Sequence, residues 1–149
     1  WYPDPWAFNR CYYDVARRTL YIFDELTRRR TGNRETAALV LERISQDEIV
    51  IADSAEEKSI GDYQSYGIRC RSAEKGPGSV NYSTKWLQSL ASIVIDPARC
   101  PDTVTEFSEY EYERDKKTGE VLQGYPDLNN HHIDAVRYAT NRIWKRRGK

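Results

Sequence analysis

The sequence has no methionine, two histidines and three cysteines, and its basic and acidic residues balance at 23 each. Each shortage excludes something. A zinc centre needs converging nitrogen or sulfur ligands. The two histidines are the adjacent pair His131 and His132, which point apart on a helix, and Cys11, Cys70 and Cys100 stand singly. A zinc site is therefore not expected. An odd number of widely spaced cysteines gives no disulfide framework and fits inert thiols in a reducing compartment. Balanced charge means that any nucleic-acid surface must come from uneven placement of the basic residues. No apolar run reaches the length of a membrane span, and no signal-peptide pattern is present. A sequence without Met that starts Trp1-Tyr2-Pro3-Asp4-Pro5 reads as the interior of a longer protein.

The 149 residues, 39% hydrophobic and 31% charged, suit one globular domain with a substantial core. The chain is organised around Ile49-Val50-Ile51-Ala52, an apolar run that reads as a central strand covered on both faces and ended by Asp53. Before it, Trp6 to Tyr13 and Thr19 to Asp24 read as a hairpin, Leu26 to Gly32 as a loop, and Asn33 as the cap of a helix carrying Ala37, Val40, Leu41 and Ile44. After it come a short helix stopped at Gly67, a strand at Ile68 to Ser72, and a loop at Lys75-Gly76-Pro77-Gly78. Ser79 caps a helix with Ser83, Trp86, Leu87 and Leu90 on one face. Ser92 to Asp96 is a short buried strand, and Asp102 to Tyr110 a short helix. Tyr110 to Gln123 carries a hairpin signal with a Gly turn. Asn130 caps a long helix holding Ile133, Val136, Thr140 and Ile143, with a basic last turn. Strands and helices that alternate after an antiparallel pair predict an α/β fold with a mixed sheet flanked by helices.

Two constellations can carry chemistry. A carboxylate at the carboxyl end of a strand stands where α/β sheets place their sites, and Asp53 is one. His131 and Asp134 lie one turn apart on the face of the last helix and can share a cation or a water. For Asp53 helix capping is the competing reading, and for the pair it is helix capping plus a surface histidine. Paired carboxylates from distant parts of a chain suit Mg²⁺ or Mn²⁺, which take oxygen ligands and keep open positions for water or phosphate. Two such ions a few ångström apart support phosphodiester cleavage.

Three stretches carry a resemblance. They are Ile51 to Ile60, Lys75 to Val80, and Asn130 to Ala139, with Tyr2 to Phe8 and Asn33-Arg34-Glu35 in register. Together they resemble the nuclease domain of tailed-phage and prophage terminase large subunits, in order along nearly the whole chain. The resemblance implies a ribonuclease H-like fold and Mg²⁺- or Mn²⁺-dependent cleavage of double-stranded DNA during genome packaging. It implies a parent protein with an upstream ATPase domain, portal protein and terminase small subunit as partners, and the cytoplasm of a bacterial host as location. By position, Asp53 matches the second acidic metal ligand, Asp134 the third, and His131 a histidine beside the metals. The first acid is expected on a strand just before Trp1, outside this chain. Asp4 matches a separate Pro-Asp-Pro feature. Asp53 and Asp134 are expected to approach closely enough to share a cation.

Arg28, Arg29, Arg30, Arg69, Arg71, Lys75, Lys116 and Lys117 have the reach for DNA phosphates, and each singly also fits a solvated charge. Two other readings stand beside the endonuclease. One is a module of nuclease fold that binds DNA or the portal without cutting, motivated by the missing first acid. The other is a junction resolvase or transposase of the same fold.

Overall fold

A computed structural model describes residues 5–74, 76–112 and 130–147. β1 (Trp6–Asp14) and β2 (Thr19–Arg28) form the expected antiparallel hairpin, with a register shift between Arg10 and Cys11. β2 runs further than expected. Leu26 is 3% exposed and Arg28 pairs opposite Trp6, so burial of Leu26 carries the strand through what had read as the start of a loop. β5 (Ser92–Ile95) lies parallel on the other edge of β2, giving the order β1-β2-β5. β3 (Ile49–Ala52) pairs in parallel with β4 (Arg69–Ser72) in a second ladder.

β3 is not the fully covered central strand that its apolar run predicts. Ile49 is 44% exposed, and only Val50 and Ala52 pack on the neighbouring core. Among the described residues β4 is its one strand partner, so nothing described there covers Ile49. β5 is likewise less buried than expected, with Val94 exposed.

The helices are α1 (Asn33–Leu41), α2 (Glu57–Ser65), α3 (Ser79–Ser89), α4 (Pro101–Tyr112), α5 (His131–Ala139) and α6 (Asn141–Arg147). Two caps differ from expectation by one residue. Gly32 and Gly78 hold the N-cap positions, so Asn33 and Ser79 are the first helical residues. Asn33 is drawn away by its neighbours, because its side-chain amide donates to Ser59 and to Asp62 of α2. Gly67 ends the turn after α2 with φ +95°, a conformation that suits glycine. α4 runs through Tyr112, so the hairpin expected from Tyr110 begins inside a helix. Extending a helix already started is easier than nucleating a new element on a few alternating residues. The remainder of that hairpin lies outside the described residues. The expected long last helix is two helices meeting at Thr140. The Thr140 hydroxyl donates back to Val136 and Arg137 carbonyls, a habit that bends helices. The Asn141 side chain then ties the start of α6 to the backbone of Glu74.

Two apolar clusters stand on either side of the hairpin. One joins Phe8 and Leu26 to α1 and α2; the other joins Leu20 and Ile22 to α3, Val136 and Trp144. α5 packs against both β1 and β3 and so bridges the two ladders. Burial pushes the Cys11 and Cys100 thiols up to about 12, which keeps them protonated and inert.

Candidate metal centre

β1, β3 and α5 border a cleft of about 790 Å³. Asp53, His131 and Asp134 all line it, with Tyr138 beside them. Asp53 leaves the end of β3 and does not cap α2, whose N-cap is Glu56. Its Oδ1 instead accepts the Ala55 N–H at 3.0 Å, closing a local turn. His131 and Asp134, three residues apart in the first turn of α5, share the face turned to the cleft.

One phenol feels both aspartates. Tyr138 is hydrogen-bonded to Asp53, and its pKa is raised first by burial and then by the charges of Asp134 and Asp53. Asp134 is steadied from its other side, where Arg137 Nη1 donates to Oδ1 at 2.6 Å. The Arg137 side chain is 7% exposed against 33% for Asp134, and its Nε donates to Ser83. A buried guanidinium thus fixes the carboxylate's orientation.

Asn130 occupies the N-cap of α5 but makes no side-chain capping bond. Glu106 of α4 does that work, its Oε1 accepting the His132 N–H at 2.7 Å and the Ile133 N–H at 3.1 Å. His132, 1% exposed, is not among the residues lining the cleft. Its Nδ1 lies 2.7 Å from Asn9 Oδ1, and its Nε2 lies 2.6 Å from the Thr27 hydroxyl, which also reaches Asp102 at 2.7 Å.

Among the described residues one group of three side chains has potential metal-donor atoms all within 4.8 Å of one another: Glu25, Asp102 and His132. It is not the group expected from the sequence. The spacing could hold a metal ion, yet its atoms are already engaged. Glu25 accepts the Asp102 and Thr103 N–H groups and the Thr103 hydroxyl, and both His132 nitrogens have the partners named above. Sequence patterning missed Glu25 and Glu106 because an isolated Glu in a strand or helix carries no signal of what it caps. It passed over His132 because only one of two adjacent histidines can face a given site.

Burial outweighs the two N–H bonds at Glu106 and, with Asp134 and Asp102 nearby, pushes its carboxyl up from 4.5 to about 7. Between those values the folded protein keeps a proton that the unfolded chain has lost, so this group lowers stability as pH rises from about 4.5 to about 7. Glu106→Gln keeps an acceptor oxygen for both N–H groups without titrating. It is expected to melt several degrees above wild type at pH 8 and alongside it at pH 4.5. A variant that melts lower than wild type at pH 8 would show the helix dipole outweighing desolvation.

Of the basic residues, Arg28 and Arg30 line the cleft. Neither pairs with a carboxylate among the described residues, and Arg28 donates to the Thr27 carbonyl. Arg30 holds φ +52°, unusual for a residue with a long side chain. Arg69 and Arg71 are exposed on β4 and are not part of the cleft lining. Lys75, Lys116 and Lys117 lie outside the described residues.

A mixed sheet flanked by helices fits the ribonuclease H-like class. Residues 3–142 match the family described as the terminase RNase H-like domain, and the chain belongs to it. It is 40% identical to the large terminase subunit of Bacillus phage SPP1 over 98% of this chain and 35% of that protein. It is 31% identical to the PBSX phage terminase large subunit of Bacillus subtilis over 89% of this chain and 30% of that protein. The chain thus spans about a third of the length of these curated relatives. The solved nuclease domain of the SPP1 large terminase, with bound Mn, superposes with a TM-score of 0.85 at 38% identity, covering 96% of this chain and 81% of that one. The large terminase of a thermophilic bacteriophage shares the fold, with a TM-score of 0.69 at 20% identity over 96% of this chain and 38% of that one.

Proposed function

We propose that this chain is the nuclease domain of a phage or prophage large terminase and that it cleaves double-stranded DNA with Mg²⁺ or Mn²⁺. The observation that carries the proposal is the single cleft lined by Asp53, His131 and Asp134 in a chain of the terminase family. The donor set is hard and oxygen-rich, which suits these ions better than zinc. Asp53 and Asp134 would hold the ion with His131 beside it. A divalent ion bound there lowers the pKa of a water and offsets charge on a phosphodiester. The Mn-bound SPP1 domain supports the choice of metal. The Glu25, Asp102 and His132 group serves the placement of α4 and α5 rather than the substrate, since its donor atoms are already hydrogen-bonded.

Arg28 and Arg30 line the cleft and would reach a DNA backbone there, as neither pairs with a carboxylate among the described residues. We infer further that the chain is one domain of a longer subunit whose partners are a portal protein and a small subunit in the host cytoplasm. No helix of the described residues is long and apolar enough to cross a membrane.

Plasmid nicking in Mn²⁺, with and without chelator, tests the reading. Nicking is expected to be weak, metal-dependent and abolished by chelator. Metal-independent nicking, or none in any longer form of the protein, would overturn it. Filter binding in parallel tests the arginines. Arg28→Ala and Arg30→Ala should each lower the slope of log affinity against log salt by about one, with the same effect on every DNA sequence. Unchanged slopes would place the DNA elsewhere, with Arg69 and Arg71 the next candidates.

A further inference from the structure

We propose that Glu106 is a positioning residue for the cleft, fixing from α4 the first turn of α5 and thereby the facing of His131 and Asp134. The inference rests on the nuclease reading and assigns a role that the sequence resemblance did not reach. The first N–H groups of a helix have no partner within it. The usual remedy is the N-cap side chain, which Asn130 does not provide. One buried oxygen of Glu106 takes two of those groups instead.

The arrangement repeats one step earlier in the chain. Glu25 of β2 accepts the Asp102 and Thr103 N–H groups at 3.1 and 2.9 Å, anchoring the first turn of α4 in the same way. β2 therefore holds α4, and α4 holds α5. The circuit closes through His132, which returns from α5 to Asn9 of β1 and Thr27 of β2. β2, α4 and α5 are tied pairwise by buried and part-buried polar contacts, with β1 joined through Asn9, while His131 and Asp134 line the cleft.

Orientation is what such a circuit controls. Successive residues on a helix are about 100° apart, so a slip of one position would turn Asp134 out of the cleft. A smaller tilt also matters, because ligands must be held to within a fraction of an ångström. The Glu106 contacts lock the turn from the buried side and leave His131 and Asp134 to the cleft.

The test compares Glu106→Ala, Glu106→Gln and a destabilised control, Ile60→Ala, whose side chain packs in the other cluster beside Tyr63. Two quantities are measured well below the melting temperatures: amide hydrogen exchange at His132 and Ile133, and Mn²⁺ affinity by titration. Glu106→Ala is expected to speed that exchange at least about tenfold and to weaken Mn²⁺ binding about tenfold, the scale of a lost supporting contact. Glu106→Gln, which keeps an acceptor, and Ile60→Ala should hold wild-type Mn²⁺ affinity. Faster exchange with unchanged affinity in Glu106→Ala would make Glu106 a helix cap and nothing more, and unchanged exchange would overturn even that. A wild-type protein that takes no Mn²⁺ would sink the metal reading instead. The nuclear magnetic resonance shifts of the His131 ring and Asp134 backbone in Glu106→Ala would then decide: moved signals support positioning, and unmoved ones overturn it.

Discussion

Asp53→Asn is expected to lower DNA cleavage by about a hundredfold to a thousandfold while the protein melts at or slightly above the wild-type temperature. The loss follows from removing one negative charge from the proposed cation site, which faces a charged substrate. The retained stability follows from what Asp53 does locally. Its Oδ1 accepts the Ala55 N–H, and an Asn oxygen accepts it equally well. The charges of Asp53 and Asp134 both act on the Tyr138 phenol, so neutralising Asp53 lowers the negative charge gathered there and offsets a weaker hydrogen bond from that phenol. Asp134→Asn should lose as much activity but behave differently in folding. Arg137 is buried and donates to Asp134, so the variant leaves a guanidinium short of its carboxylate. A cost of about 1–3 kcal/mol is expected, below that of a fully buried pair because Asp134 is partly solvated. DNA binding should persist in both and remain salt-dependent. The measurements are plasmid cleavage, filter binding and thermal melting in a protein carrying the complete set of acids. Normal cleavage by either variant once folded would remove that residue from the site.

The contrast between these two aspartates shows what a sequence can and cannot display. The spacing of His131 and Asp134 on one helical face is legible because the helix period is fixed, and both do line the cleft. The end of β3 is legible because an apolar run stops at Asp53. The hairpin and the alternation of later strands and helices gave the fold class, which the comparison with the SPP1 nuclease domain bears out. Burial was less legible. Four apolar residues in a row look the same whether or not a neighbouring strand covers them, and Ile49 is exposed. Capping was least legible. Asn33 and Asn130 are favoured cap residues, yet one bonds to α2 and the other makes no side-chain capping bond, while Glu106, 26 positions before His132, caps α5. Tertiary partners outweighed local preference in both places, the part-exposed Asp62 drawing Asn33 and the buried Glu106 capping α5.

A longer protein that includes the strand expected before Trp1, with its acid, should cut DNA at least about tenfold faster in Mn²⁺ than the 149-residue chain. Two carboxylates hold a pair of divalent ions poorly, since the ions repel strongly at a few ångström and little charge offsets them. A third carboxylate raises metal affinity and with it the fraction of protein competent to cut. The cleft offers a reason to expect stability to change as well. Among the described residues β1 pairs with β2 alone and β3 with β4 alone, and both β1 and β3 line the cleft. A further strand there would cover Ile49, now 44% exposed, and each 100 Å² of apolar surface so buried contributes about 2.5 kcal/mol. The longer protein is therefore expected to melt higher even with chelator present, and higher still in Mn²⁺. Replacing its added acid by Asn should cancel the gain in cleavage and the metal-dependent gain in melting, while the metal-free gain remains. If the two proteins cut alike, the first acid is dispensable or Asp4 takes its place, and Asp4→Asn in the shorter chain separates those outcomes. If the metal-free melting temperature does not move, the segment before Trp1 does not pack in this cleft.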